Sequence, residues 1–334
     1  MNLRSRPFHL LLLLLGALLL APVTNAAPAK YGSIVVFGDS LSDTGNDFAY
    51  TSSQGMTPAI PPSVSPYATY SAGHFTNGAV AVEYLWRLLA RDRDAVITPS
   101  VTESDPTRKR AVSFAFGGSA SGRSNPTPSG FLVPGVLGQV EQFAATLRDH
   151  KKAAPNALYV VWTGSNDYIQ GITSSPDVVV GNIADAIRSL YELGARDFLV
   201  PNLPDMGLSP LMRAQGLGPQ FTQLTQAHNA LLNATLNSLA ASLPKAKLVK
   251  VNVYALGQAL VNSGAVIAEL PAIEFLSPGT GAVDCLFRNP ATCVDVPMPA
   301  ALPPFLFWDV LHPTTQVHAA IGAAMFVALS AKKD

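Results

Sequence analysis

Ser33-Ile34-Val35-Val36-Phe37-Gly38-Asp39-Ser40-Leu41-Ser42-Asp43-Thr44-Gly45-Asn46 is the stretch on which the reading of this chain turns. A β-branched apolar run breaks at a glycine, and a serine stands in the turn that follows. Short apolar runs without polar alternation mark strands buried on both faces. Gly38 permits a tight turn, and Ser40 is expected to start the next helical turn, where free backbone N–H groups point outward. A serine so placed can attack a carbonyl carbon while its own N–H helps to hold the oxyanion. Taken alone, these residues read more readily as a plain helix N-cap, so a catalytic serine needs partners elsewhere in the chain.

The pattern of the first strand recurs. Residues 33–37, 111–116, 157–162, 197–201 and 247–252 read as strands, and 78–90, 137–150, 176–193, 220–242 and 314–331 read as helices. Alternation of this kind implies βαβ units and a parallel sheet covered on both faces. The expected fold class is therefore α/β, a three-layer α/β/α sandwich around a five-stranded parallel sheet. Two long loops interrupt the rhythm. Residues 47–77 are rich in Pro and Tyr, and 264–305 are rich in Pro and hold both cysteines. Loops leaving the carboxyl ends of parallel strands commonly wall a ligand cleft. The mixed-charge segment 91–110 reads as a solvated connection without a site.

The amino terminus reads as a signal peptide over residues 1–26, with a basic start (Arg4, Arg6), an apolar core from Leu10 to Leu20 and small residues at Ala26 and Ala27. That core is shorter than the ~20 apolar residues a membrane span needs. Cleavage after Ala26 leaves residues 27–334 as a single domain, and an extracellular or periplasmic location is expected. Of the 334 residues, 308 remain, and with Arg4 and Arg6 gone 20 basic side chains face 22 acidic ones. That balance argues against a nucleic-acid partner. The apolar fraction of 48% is ample for a core. Cys285 and Cys293 are expected to form a disulfide, as two close cysteines do in an oxidising compartment. They cannot make a zinc site alone, and no metal is expected.

Three further blocks fall at strand ends. Phe116-Gly117-Gly118-Ser119 offers paired glycines whose backbone can approach a ligand and aim an N–H at it. Gly164-Ser165-Asn166-Asp167 offers an amide donor suited to a developing oxyanion, though it would also suit an Asx turn. Asp309-Val310-Leu311-His312-Pro313 offers a carboxylate and a base three residues apart, which helical spacing would put on one face. The other histidines lack a helpfully spaced carboxylate, although His74 could line the cleft. Competing signatures are missing from the sequence: there is no Gly-x-Ser-x-Gly elbow, no His-Glu-x-x-His, no phosphate loop and no dinucleotide fingerprint after the first strand.

These four blocks, in this order, resemble the GDSL lipases and esterases of the SGNH hydrolase superfamily, over roughly residues 33–331. Gly73-His74-Phe75-Thr76-Asn77-Gly78, Asn202-Leu203-Pro204-Asp205-Met206-Gly207, His228-Asn229-Ala230-Leu231-Leu232 and Leu306-Phe307-Trp308-Asp309 add to the likeness. The resemblance implies the family's flavodoxin-like architecture with a five-stranded parallel sheet. It implies a serine carboxylic-ester hydrolase with Ser40 as nucleophile, His312 as base and Asp309 as its orienting partner. Ser40, Gly118 and Asn166 would form the oxyanion hole. Gly117 is the alternative to Gly118, and Ser113 stands where the family often has Asn. No cofactor is implied. The expected partner is a small-molecule or lipid ester, with transient contact to a membrane surface, and the protein is expected to be a monomer. Within the family, phospholipase action, acyl transfer from a glycerophospholipid to an alcohol, and polysaccharide deacetylation are the alternatives to simple ester hydrolysis. Outside it stands a non-catalytic binding protein on the same fold.

Overall fold

A computed structural model of the protein describes residues 31–147, 152–278, 285–286, 289–299 and 301–331. The signal-peptide segment 1–26 and His150 lie outside the described residues. The strands are β1 (Ser33–Gly38), β2 (Thr98–Pro99), β3 (Ala111–Ser113), β6 (Ala157–Trp162), β7 (Asp197–Pro201) and β8 (Lys247–Val251), with β4 (Ser124–Pro126) and β5 (Leu132–Pro134) forming a separate antiparallel pair. The main sheet runs β2-β3-β1-β6-β7-β8, all parallel.

The sheet thus has six strands rather than five. The extra one, β2, is a two-residue edge strand within the segment read as a solvated connection, registered Thr98↔Val112 and Pro99↔Ser113. Two residues, one of them a proline, give no periodic signal, and an edge is where a strand proline is tolerated. Strand β3 ends three residues early. Phe114 and Phe116 still donate to Val36 O (2.8 Å) and Gly38 O (3.3 Å), so the backbone stays alongside β1.

The period-two alternation of each strand feeds a different layer. Val35, Phe37, Tyr159, Val161, Phe198 and Val200 face one core, which packs under α3 (Val136–Thr146), α5 (Pro176–Leu193) and α7 (Gly218–Ser242). Ile34, Val36, Leu158, Val160, Trp162 and Leu199 face the other, under α2 (Ala81–Ala90), α8 (Val253–Asn262) and α10 (Thr315–Ser330). Helix α5 starts at Pro176, whose missing N–H costs nothing at that position, and ends at Gly194 with φ +118°. The short helices α1 (Asn46–Ser53), α4 (Ser165–Ile169), α6 (Pro210–Ala214) and α9 (Ala272–Leu276) line the loops. Among the described residues no helix is long and apolar enough to cross a membrane.

A third apolar cluster caps the carboxyl ends of the strands. Ile60, Tyr70 and Phe75 of the first long loop pack with Ile273, Phe305 and Trp308 from the second and the segment beyond it. Asp295 fastens the two loops from outside, accepting from Ser65 Oγ (2.7 Å) and Ala68 N–H (2.8 Å). Cys285 and Cys293 are joined by a disulfide.

Candidate active site

Strand β1 ends where Gly38 lies against β6 so closely that a Cβ would sit 2.5 Å from Trp162 O, which only glycine allows. Gln139 of α3 closes this strand end by taking the Gly38 N–H on Oε1 (2.9 Å) and giving Nε2 to Gly38 O (2.8 Å). Ser40 then sits in a turn over 39–42, held by Ser42 N–H to Asp39 O (2.9 Å) and Leu41 N–H to Asp39 Oδ1 (3.0 Å). The helix expected to start at Ser40 begins only at Asn46, because Asp43 gathers the N–H groups of Gly45, Asn46 and Asp47 on its carboxylate and delays it.

His312 Nε2 lies 2.9 Å from Ser40 Oγ, and His312 Nδ1 lies 2.6 Å from Asp309 Oδ2. A carboxylate only accepts, so Nδ1 carries the hydrogen and Nε2 is left to accept from the serine. All three side chains are buried, Asp309 completely. The two partners do not lie on a helix, as their spacing suggested. They belong to a bent segment in which Asp309 Oδ1 accepts from the backbone N–H groups of Leu311 and His312 at 2.7 Å each. That Asx-type turn brings residues three apart face to face without helical geometry. Pro313 O and His312 O are anchored in turn by Thr76 Oγ1 (2.8 Å) and Trp308 N–H (2.7 Å), and Phe75 packs on the imidazole at 5.3 Å between ring centres.

Tyr70, which the sequence reading passed over, donates to Asp309 Oδ2 at 2.6 Å. Burial alone pushes the Asp309 carboxyl up. The charge of His312 and the hydrogen bonds of His312 and Tyr70 outweigh it and hold the carboxyl below its ordinary value. Burial pushes the Tyr70 phenol well up, with the Asp309 charge adding to it, so it stays a donor. Asp39 contrasts with Asp309. Burial pushes it up to about 7, against the pull of the Leu41 N–H and of His312.

The two glycines after β3 differ in their hydrogen bonds. Gly117 N–H is taken by Asp43 Oδ2 at 3.2 Å, and its Cα has no room for a side chain, since a Cβ would meet Phe75 Cζ at 2.2 Å. Gly118 lines the cleft with φ +75°, and its carbonyl is clamped by Gln170 Nε2 (2.7 Å) and Asn125 Nδ2 (2.9 Å). Asn166, in the first turn of α4, also lines the cleft, with Nδ2 on Ser119 O at 3.0 Å and its second amide hydrogen still to give. Asp167 fixes the same corner through Ser121 N–H (2.8 Å) and Oγ (2.7 Å).

Ser40, Gly118, Asn166 and His312 thus meet on one cleft, with about 1210 Å³ of atom-free space partly open to solvent. Ile60 and Phe75 of the first long loop and Leu286 of the second form part of its wall. His74 does not line it: its Nε2 pairs with Glu83 at 3.2 Å and its Nδ1 lies 3.1 Å from Ser71 O. His228 is buried against Tyr168 at 2.9 Å, and His318 accepts from Ala81 N–H. A buried imidazole within hydrogen-bond distance of a buried serine that lines the cleft, next to backbone and amide donors, has the parts that acyl transfer needs.

Comparison with known proteins places the chain among relatives. The family model described as GDSL-like lipase/acylhydrolase matches residues 34–325. Two GDSL esterase/lipases of Arabidopsis thaliana are similar to the chain, at 25% identity over 89% of this chain and 91% of theirs, and at 26% over 92% and 94%. A phosphatidylcholine-sterol acyltransferase of Aeromonas hydrophila is 30% identical over 68% of this chain and 61% of its own.

Proposed function

The chain belongs to the GDSL-like lipase/acylhydrolase family and is an ester hydrolase, and from that premise we propose that it is a secreted serine carboxylic-ester hydrolase working through Ser40, His312 and Asp309. His312 Nε2 takes the Ser40 proton as Oγ attacks the ester carbonyl. The carbonyl oxygen becomes an oxyanion that the N–H groups of Ser40 and Gly118 and the Asn166 amide receive. Collapse of the tetrahedral species breaks the ester C–O bond, and the leaving alcohol takes its proton from His312. The acyl group remains on Ser40 until a water, deprotonated by His312, releases the acid and restores the serine. Asp309 keeps the imidazole in the tautomer and orientation that both halves need.

The observation that carries this reading is the unbroken contact from Ser40 Oγ through His312 to Asp309, at 2.9 and 2.6 Å. The test is hydrolysis of p-nitrophenyl esters by the mature protein and by Ser40→Ala. Turnover that vanishes in the variant, together with labelling of the native protein by a serine-reactive phosphonate, supports the reading. Undiminished turnover in Ser40→Ala sinks it, and so does a folded native protein that neither turns over nor takes the label.

A second reading is acyl transfer from a glycerophospholipid to an alcohol. It draws on the similarity to the Aeromonas hydrophila acyltransferase and on the apolar character of the cleft. Product analysis with phosphatidylcholine as donor, with and without a sterol, separates the two, since transfer yields a sterol ester and hydrolysis a free fatty acid. Export through the 1–26 signal, a single domain over 27–334, a monomeric state and transient contact with lipid surfaces complete the proposal.

A further inference from the structure

Along the carboxyl edge of the sheet, Gly118 follows β3, Ser40 follows β1, Asn166 follows β6, the 204–208 turn follows β7 and α8 follows β8. The cleft therefore leaves Ser40 in two directions. Towards β3 its lining is mixed, with Thr127, Ser129 and Asp47 beside Phe131 and Leu286. Thr127 Oγ1 and Asp47 Oδ1 are buried there without a hydrogen-bond partner. Towards β8 its lining is aliphatic, between α8 (Val253, Leu256, Leu260) and α10 (Val317, Ile321). The carboxylate on this side, Asp205, is tied to Gly207 N–H, Thr222 and Gln258 and is not free for a ligand.

Helix α8 contains a residue that its packing does not explain. Gly257 stands in the middle of a ten-residue helix, where glycine is about 1 kcal/mol worse than alanine, and its φ is not in the left-handed region. A Cβ built on it would meet nothing within 4 Å. Positions 253, 256, 257 and 260 share one helical face, and all four line the cleft. Gly257 thus sits at the centre of the apolar wall with open space in front of it. Helices usually fill such a position with a side chain. Here the space is kept.

We propose that the arm between α8 and α10 is the acyl-binding subsite, that it takes an unbranched aliphatic chain, and that Gly257 keeps it open. The inference rests on the ester-hydrolase reading above and adds the acyl class to it. The arm runs from β1 past β6 and β7 to β8, three strand spacings or about 14 Å. A zigzag chain with bonds of ~1.5 Å covers that distance in about eleven carbons. Each methylene moved from water into such a wall raises kcat/KM by about fourfold. Specificity is therefore expected to climb with chain length to about decanoate or laurate and then to level off. The mixed arm towards β3 is left for the alcohol part of the ester.

The test is a p-nitrophenyl ladder from acetate to palmitate, which holds the alcohol constant. It is run on the native protein and on Gly257→Ala, Gly257→Leu and Gly257→Phe. The proposal expects the optimum to shorten stepwise through the series and the laurate-to-acetate ratio of kcat/KM to fall by about 100-fold in the largest variant. A ratio that stays within twofold of the native value across the series overturns it, as does a native protein that turns over acetate but no longer chain. The alanine and leucine variants keep the test alive should Gly257→Phe not fold. Native turnover that survives Ser40→Ala would instead overturn the ester-hydrolase reading, so the two failures are told apart.

Discussion

Tyr70 donates its phenolic hydrogen to Asp309 Oδ2 at 2.6 Å, and that oxygen is the one facing His312 Nδ1. One loop residue and one ring nitrogen thus share an acceptor, while Asp309 Oδ1 is spent on two backbone N–H groups. The carboxylate is held by four donors, three of them from Leu311 and His312 of its own segment and the fourth from Tyr70. The long Pro- and Tyr-rich loop in this way supports the Asp309–His312 pair as well as forming part of the cleft wall.

Removing the phenol should weaken that support without dismantling it. A hydrogen bond to a charged group is worth about 1.5–3 kcal/mol, of which only part is felt in the transition state. Tyr70→Phe is expected to lower kcat about tenfold with little change in KM. It should also let the Asp309 carboxyl rise. A carboxyl held low in the fold stabilises it above the ordinary carboxylate range, and that stability is lost as pH falls through the folded value. In Tyr70→Phe less of that stability is present above the carboxylate range, so the fold has less to lose in acid, read as an acid-unfolding midpoint displaced upward.

The oxyanion donors give a second expectation. Loss of one such donor costs 10²–10³ in kcat, about 2.7–4 kcal/mol. Asn166→Ala should show a kcat loss of that size with KM near native. Gly118→Ala should lose activity as well, for a different reason. At φ +75° an alanine is strained, and its Cβ would press on Thr127 Cγ2 at 3.0 Å. Steady-state kinetics on both variants, with circular dichroism to check the fold, separates a missing donor from a displaced one. An Asn166→Ala enzyme within threefold of native kcat would remove Asn166 from the hole.

What could be read in the sequence was whatever declares itself locally. Five strands announce themselves as apolar runs, and three of the four blocks sit where those runs end, while Asp309 to Pro313 follows no strand and lies in a bent segment. Tyr70 and Gln139 do not announce themselves, because their partners Asp309 and Gly38 are 239 and 101 residues away and nothing near either residue marks the contact. Helix α8 was hidden for the opposite reason. Val-Tyr-Ala-Leu-Gly-Gln-Ala-Leu is apolar on most sides, and without a polar face the 3.6-residue period does not stand out. The spacing of Asp309 and His312 suggests one helical face, which the fold does not use. An Asx-type turn supplies the same approach, so the two side chains meet without the helical geometry their spacing suggests.

The export reading makes a prediction that needs no structure. Produced in a bacterium with an intact secretory pathway, the protein should appear outside the cytoplasm with Ala27 as its first residue, 26 residues short of the full chain. Intact-mass measurement and amino-terminal sequencing of the exported protein check it. A full-length protein retained in the inner membrane would mean that the apolar segment acts as an anchor.

His318 carries the last prediction. Its Nδ1 accepts the Ala81 N–H at 3.2 Å, so this histidine satisfies one of the free donors at the start of α2 and must be neutral at that nitrogen to do so. Burial, and then the charges of His312 and His74, lower its pKa to about 3. The unfolded chain takes up this proton below about 6.5, whereas the folded protein refuses it until about pH 3. The unfolded state therefore binds more protons throughout that window, and folding stability falls as pH falls from 6.5 towards 3. The slope from one such group is at most about 1.4 kcal/mol per pH unit. The raised carboxyls act the other way. Asp39, at about 7, and Asp43, at about 6, are protonated in the fold while ionised in the unfolded chain, so they offset part of the histidine slope over the same range. A direct measurement of the wild-type slope would mix these opposing groups, and a substitution isolates one of them. In His318→Asn the amide oxygen can take the place of Nδ1 as acceptor while nothing titrates. Denaturant midpoints at pH 6.5 and 4.5 should then differ less in the variant than in the native protein. Equal differences in the two proteins would mean that the unfolded chain, and not the buried imidazole, sets the acid sensitivity.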